Sequence, residues 1–293
     1  MATSQQDVQK SEGNYINANG ADIYYVEAGQ GEPLLLLHGG AVSTSPVWSG
    51  SPFSFVSHMD TLAEHFRVIA PDTRGTGRTV NPGAGPISFA QLADDAVALI
   101  EALDLDRPMI GGFSEGAFTA TIVGIRNPGS VRAIVNDAGY DVFNPQAPSF
   151  AMMRQMMGGA PEATEPDLDA FEQASRSSEE MLTMLELMKA DHEGAQGEGY
   201  LKIYLAQVFD RVARSSVYTF EDLRKIEAPT LILVGDRDPF CTVEEAVEAY
   251  RMLEQGELAI VPDHGHFISP SAVRITIEFL ERHPGGRSVA ASH

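Results

Sequence analysis

Seven short apolar runs recur along this chain: DIYYVEAG from Asp22, PLLLLHGG from Pro33, RVIAPD from Arg67, PMIGGF from Pro108, RAIVNDAG from Arg132, PTLILVGD from Pro229 and ELAIVPD from Glu257. Most are continuous rather than alternating in hydrophobicity. A strand with one wet face alternates, whereas a strand covered on both faces does not, so the runs predict a parallel sheet buried between layers of helix. Helical patterns fill most of the gaps. Ser88 and Gln91 form a capping signature ahead of Leu92, Ala96, Leu99, Ile100 and Leu103, which share one helical face. Thr242 and Glu245 repeat the signature, with Gly256 as the expected stop, and Pro270 to His283 reads as a last helix. Asn19-Gly20 lies between two strand-like pieces and predicts a hairpin, so the sheet should begin antiparallel and continue parallel. The fold class expected is α/β: a mostly parallel twisted sheet flanked by helices.

One stretch breaks the rhythm. Between the runs ending near Ala138 and beginning at Thr230 lie roughly ninety residues without a strand signal, rich in helix formers and carrying Met152, Met153, Met156, Met157, Met181, Met184 and Met188. A connection of that length is usually a subdomain or a functional segment. The expected organisation is a core domain over 14–140 and 220–283, an inserted helical cap over 141–219, and flexible tails at 1–13 and 284–293. The loop AVSTSPVWSGSPFSFVSHMD, from Ala41, is also long for a strand-to-helix link and carries Trp48, Phe53 and Phe55.

Charge narrows the partners. Lys and Arg number 20 against 41 Asp and Glu, a formal net charge of -21. Such a surface repels phosphate backbones and anionic headgroups, which disfavours nucleic acid and membrane as partners. A small-molecule substrate is expected, and a homodimer is compatible with the sequence. The single cysteine, Cys241, excludes an internal disulfide, no apolar run reaches the length of a membrane span, and MATSQQDVQKSEG has no apolar core. A cytoplasmic location is the expectation.

The run PMIGG leads into Gly112-Phe113-Ser114-Glu115-Gly116 and then the helical GAFTATIVGIR. A G-x-S-x-G between strand and helix places serine on a sharp turn, where the flanking glycines relieve backbone crowding and the hydroxyl is exposed above the sheet. The helix N-terminus beside it favours developing negative charge. A nucleophilic serine needs a base, and the base an orienting acid. Asp236 and Asp238 follow PTLILV, His264 and His266 follow LAIV, and Asp137 ends AIVND. Each lies just past or at the end of an apolar run, so all of these reach one rim of the sheet.

At this point the chain resembles the α/β-hydrolase fold superfamily, in its serine-nucleophile branch with a helical cap, from about Asn14 to His283. The resemblance rests on His38-Gly39-Gly40 after the first parallel strand, on PDTRGTGRT from Pro71 to Thr79, and on the serine, acid and histidine loops in that order. Thr79 stands where the family pattern has serine. The resemblance implies Ser114 as nucleophile, Asp238 as the acid by its G-x-x-D spacing, and His266, which follows a glycine, as base. The backbone N–H groups of Gly40 and Glu115 would form the oxyanion hole. Trp48, Phe113, Tyr140, Met153 and Phe267 are the expected substrate-binding residues. His38, Asp72 and Arg74 read as loop-bracing and Cys241 as buried and inert, while the Glu115 carboxylate either bonds to the cap or a neighbouring loop or meets a cationic group on the substrate. No metal site and no cofactor are expected, since neither ligand spacing nor a phosphate-cradling G-x-x-x-x-G-K occurs.

In the family, epoxide opening and halide displacement use aspartate at the nucleophile position, so Ser114 points to acyl transfer. The expected function is hydrolysis of a carboxylic ester, lactone or thioester of a small to medium apolar substrate through an acyl-enzyme. Carbon–carbon bond hydrolysis and perhydrolysis use similar residues. A proline-iminopeptidase-like aminopeptidase or amidase is one alternative, although Ala41 replaces the proline usual after His-Gly-Gly. A non-catalytic small-ligand-binding protein is the other.

Overall fold

The computed structural model describes residues 13–284 except 41, 52–53, 84, 141–142, 145–146 and 214–217. Both expected tails, apart from Gly13 and Pro284, and Phe53 of the long loop therefore lie outside the described residues. Eight strands form one sheet: β1 (Asn14–Ala18), β2 (Ala21–Ala28), β3 (Pro33–Leu37), β4 (Arg67–Pro71), β5 (Met109–Phe113), β6 (Ala133–Asp137), β7 (Thr230–Gly235) and β8 (Gly256–Val261). The spatial order is β1-β2-β4-β3-β5-β6-β7-β8. β1–β2 and β2–β4 are antiparallel, and every later pair is parallel. The hairpin forms at Asn19-Gly20, both with positive φ, as a right-handed sheet twist prefers. All seven apolar runs became strands. In β5, β6 and β7 every residue is buried, which accounts for their uninterrupted hydrophobicity.

Helices α1 (Met59–Ala63), α2 (Phe89–Ala102), α3 (Glu115–Arg126), α8 (Val243–Met252) and α9 (Pro270–Glu281) follow or separate the strands. Ser88 caps α2 through the Gln91 N–H, and Thr242 and Glu245 form the full reciprocal box on α8. α8 ends before Gly256, because Leu253 already turns extended, and Gly256 instead opens β8. The long loop after Gly40 contains two short 3-10 turns, Pro46–Trp48 and Phe55–His58, and runs into α1. Between β6 and β7 lie α4 (Pro148–Gly158), α5 (Leu168–Ser175), α6 (Glu179–Gln196) and α7 (Tyr200–Ala213).

Polar contacts hold α6 and α7 on the core. Trp48 Nε1 donates to Asp191 Oδ2 at 2.7 Å, Gln196 Nε2 to Gly77 O and Tyr200 Oη to Gly75 O at 2.9 Å each, and the Gly77 N–H to His192 Nδ1 at 3.3 Å. Asp191 and His192 are buried. Beneath them, Asp72 braces the long loop by accepting from Thr44 N–H and Oγ1, and its second oxygen accepts from the Arg78 N–H. Arg74 forks onto Asp95 at 2.7 Å per bond. Loop-bracing is thus what Asp72 and Arg74 do. No helix among the described residues is long and apolar enough to cross a membrane.

Candidate active site

Strand register sets the site. Leu37 pairs with Gly112, Phe113 with Asp137, Asp137 with Leu233, and Gly235 with Val261. The loops leaving β3, β5, β6, β7 and β8 therefore emerge along one rim. Ser114 sits at the first of the sharp turns with φ 50° and ψ -118°, backbone angles that a non-glycine residue rarely adopts. The turn survives because its neighbours have no side chains. A Cβ on Gly112 would stand 2.3 Å from the Gly116 carbonyl carbon, and one on Gly116 would stand 2.3 Å from Leu37 O. The Ser114 N–H still bonds Asp137 O at 2.8 Å, so the elbow is pinned to β6.

Ser114, His266 and Asp238 come together although 152 and 28 residues separate the two bonded pairs. His266 Nε2 is 3.2 Å from Ser114 Oγ, and His266 Nδ1 is 2.8 Å from Asp238 Oδ2. The other oxygen of Asp238 accepts from the N–H groups of Phe240 and Cys241 at 2.8 and 3.0 Å. The imidazole lies between two rings, Phe113 at 5.0 Å and Phe240 at 4.7 Å between centroids. The bond to Asp238 places the proton on Nδ1 and leaves Nε2 as the acceptor facing the hydroxyl.

The two rival acids are placed elsewhere. Asp236 accepts from the His264 N–H at 3.1 Å and so shapes the histidine loop. His264 itself bonds Phe267 O and does not reach Ser114. Asp137 is buried, and burial holds its carboxyl well above the usual carboxylate range, with the charge of Asp238 adding to the shift. An acid raised in the folded state costs stability as pH climbs, because the unfolded chain releases its proton first. The wild type should therefore lose stability relative to Asp137→Asn between pH 5 and pH 8. Urea midpoints at both pH values test this, and parallel curves would show that Asp137 is not held neutral.

Ser114, Glu115 and His266 open into a cavity of about 200 Å³ shared by the core and α4–α7. Gly40, Phe113, Met153 and Phe267 line it, as expected from sequence. The Glu115 N–H belongs to the first turn of α3, where helix donors have no acceptor inside the helix. Two expectations fail. Trp48 is fully buried away from the cavity, because its indole N–H is spent on Asp191 of α6. Tyr140 is likewise fully buried, with its hydroxyl donating to Thr242 O at 3.0 Å ahead of α8. Met156, Met157, Met181, Met184 and Met188, which from sequence suit either core packing or an adaptable apolar pocket, line the cavity, as does Phe240, which sequence reasoning missed. On α4, Met156 and Met157 lie three and four residues after Met153, and on α6 Met181, Met184 and Met188 lie three, four and seven apart, spacings that mark one helical face.

The remaining readings can be placed. His38 donates from Nδ1 to Gly39 O at 2.8 Å and accepts the Thr73 N–H on Nε2 at 3.0 Å, a structural role beside Gly40. Cys241 is buried in the cavity wall with Sγ 3.1 Å from Ala138 O. Asp238, Cys241 and His266 bring three donor atoms within 4.8 Å of one another. The Asp238–His266 hydrogen bond accounts for that proximity. The Glu115 carboxylate turns away from the cavity centre onto Arg211 of α7.

A strand-to-helix serine elbow on a sheet of this order, with an acid and a histidine on the following rim loops, defines a hydrolase-fold protein. Comparison with known proteins agrees. Residues 34–275 match the model of the Alpha/beta hydrolase family, and the chain belongs to that family. It is 27% identical over 299 residues to the 2-hydroxy-6-oxo-6-(2'-aminophenyl)hexa-2,4-dienoic acid hydrolase of Metapseudomonas resinovorans, covering 95% of this chain and 96% of that one. Among solved structures it resembles a meta-cleavage product hydrolase with a TM-score of 0.72 at 21% identity, over 92% of this chain and 98% of the other. It also resembles a thermophilic esterase from Thermogutta terrifontis with a TM-score of 0.66 at 20% identity, over 94% of this chain and all of the other.

Proposed function

We propose that this chain is a serine hydrolase that cleaves carboxylic esters, including lactones and thioesters, of small to medium apolar acyl groups. Ser114 attacks the carbonyl and displaces the alcohol, leaving an acyl-enzyme that water then hydrolyses. His266 takes the proton from Oγ and passes it to the leaving alkoxide, and Asp238 holds the imidazole tautomer and stabilises the imidazolium. The N–H groups of Gly40 and Glu115 receive the oxyanion. Helices α4–α7 serve as the cap that roofs the substrate. The reading takes the protein as a cytoplasmic enzyme of small molecules that needs no cofactor.

The observation that carries the ester reading is the chemistry of the cavity wall. Among the described residues lining it there is no Lys or Arg, and thioethers and phenyl rings supply most of the surface. The buried cation beside it, Arg211, already holds Glu115 with two nitrogens. An acidic substrate would find that guanidinium already matched in charge by Glu115, with only Nη1 unbonded, whereas an apolar acyl chain would find an adaptable surface. Hydrolysis of a 2-hydroxy-6-oxo-dienoic acid is the second reading, favoured by the likeness to the Metapseudomonas enzyme along nearly the whole chain.

A p-nitrophenyl ester series from acetate to octanoate separates these readings, with proline p-nitroanilide and a 2-hydroxy-6-oxo-dienoic acid alongside. Each buried methylene contributes about 0.8 kcal/mol, so kcat/KM should rise about fourfold per added carbon until the cavity fills. An apolar cavity of roughly 150 Å³ holds benzene, so the rise should end at an acyl chain of about six to eight carbons. Turnover of the dienoic acid without turnover of any ester would give first place to the second reading. Turnover of the anilide alone would favour an aminopeptidase.

A further inference from the structure

Glu115 is the residue after the nucleophile, and its side chain is not free. Arg211 of α7 reaches it across 96 residues of sequence with Nε 3.2 Å from Oε2 and Nη2 3.1 Å from Oε1. Both side chains are buried, Arg211 at 1% and Glu115 at 8% exposure. The same carboxylate lies against Gly40, where a Cβ would stand 3.6 Å from Oε2. One carboxylate thus stands beside Gly40, which carries one proposed oxyanion donor, and belongs to the residue that carries the other. The other polar attachments of α6 and α7 described above end on Trp48 or on the turn at Gly75–Gly77. The Arg211 contact ends at the elbow itself.

A buried ion pair of this kind adds little net stability, because desolvation of the two charges offsets their attraction. Its two-point geometry does fix orientation, since the guanidinium fork matches both carboxylate oxygens. We propose that Arg211 is a positioning residue: by clamping Glu115 it sets the oxyanion-hole amides of Glu115 and Gly40, so that turnover depends on α7 being seated on the core. The inference rests on the hydrolase reading of Ser114 and extends it to the inserted helices.

The test uses the whole protein and three variants. Arg211→Met with Glu115→Gln removes both charges together and leaves no unpaired ion. Arg211→Lys keeps the charge and loses the fork, and Arg211→Met alone leaves the carboxylate unmatched. Two rates are read: ester turnover on the best p-nitrophenyl ester, and labelling of Ser114 by an alkyl fluorophosphonate, in which Oγ bonds phosphorus and fluoride leaves. Labelling needs the oxyanion donors but no native substrate. In the double variant, with thermal melting confirming a folded protein, kcat should fall about 10- to 100-fold and labelling by a similar factor, with KM within about twofold; loss of a whole donor costs more. Arg211→Lys should fall between wild type and the double variant. A folded double variant with unchanged kcat and labelling overturns the proposal, as does a rise in KM alone, which would mean a role in binding. Wild type that labels rapidly yet cleaves no ester would remove the ester reading and leave the positioning proposal to be judged on labelling.

Discussion

Ser114→Ala should fold and melt like the wild type but lose about 10⁴- to 10⁶-fold in kcat on the best ester of the proposed reaction. The fold is expected to survive because the strain at the elbow resides in the backbone, where alanine meets the same φ as serine, and because Gly112 and Gly116 keep the turn open. The loss is expected to be large because the proposed acyl-enzyme cannot form without Oγ. What remains is attack by water with the oxyanion donors still in place. KM, or the affinity for an unreacted ester, should change little, since the cavity wall is apolar and is not altered. Chain-length preference measured by binding should therefore match that measured by turnover in the wild type. Residual activity within about tenfold of wild type would instead mean that His266 activates water directly, and the acyl-enzyme would be abandoned as an intermediate.

Asp238→Asn is the second large effect, about 10⁴-fold in kcat if the isosteric change traps the imidazole in the wrong tautomer. The surroundings dictate that outcome. One carboxylate oxygen is held by the N–H groups of Phe240 and Cys241, so an asparagine must leave its carbonyl there and turn its amide toward His266. An amide N–H facing Nδ1 forces the ring proton onto Nε2, where it points at the hydroxyl it should deprotonate. The neighbouring Asp137 makes the result informative. If the loss were only about tenfold, far below that expected for a displaced tautomer, Asp137 would have taken over the acid's role from the end of β6. Adding Asp137→Asn to the variant would then remove the remaining activity.

Most of the core was legible because its signals are local. Continuous apolar runs became strands, capping residues fixed the starts of α2 and α8, and the serine, acid and histidine each follow a strand whose end can be read directly. Given parallel pairing, those three ends must share a rim. What could not be read depends on contacts across long separations. Trp48 was expected at the substrate because it lies in a loop over the rim, yet nothing in that loop reveals that Asp191, 143 residues away, takes its N–H. Tyr140 follows the end of β6 and looked equally well placed, but its hydroxyl is committed 102 residues ahead at Thr242. Arg211 and Glu115 are ordinary charged residues until α7 brings the guanidinium to the start of α3. The methionines were visible as a composition, but which of them face the cavity became clear only once α4 and α6 had definite ends.

The attachment of α6 and α7 to the turn at Gly75–Gly77 has a consequence for how such chains diversify. Three of its bonds end on main-chain atoms, Gly75 O, Gly77 O and Gly77 N. The core thus offers a main-chain socket at two glycines, Gly75 and Gly77, and the helices carry the plug, His192 and Gln196 near the end of α6 and Tyr200 at the start of α7. A different helical segment bearing those three at the same intervals would fit the same socket. If α4–α7 roof the substrate as proposed, that roof can be exchanged as a module, and new specificities can be grafted while the serine, acid and histidine stay where they are.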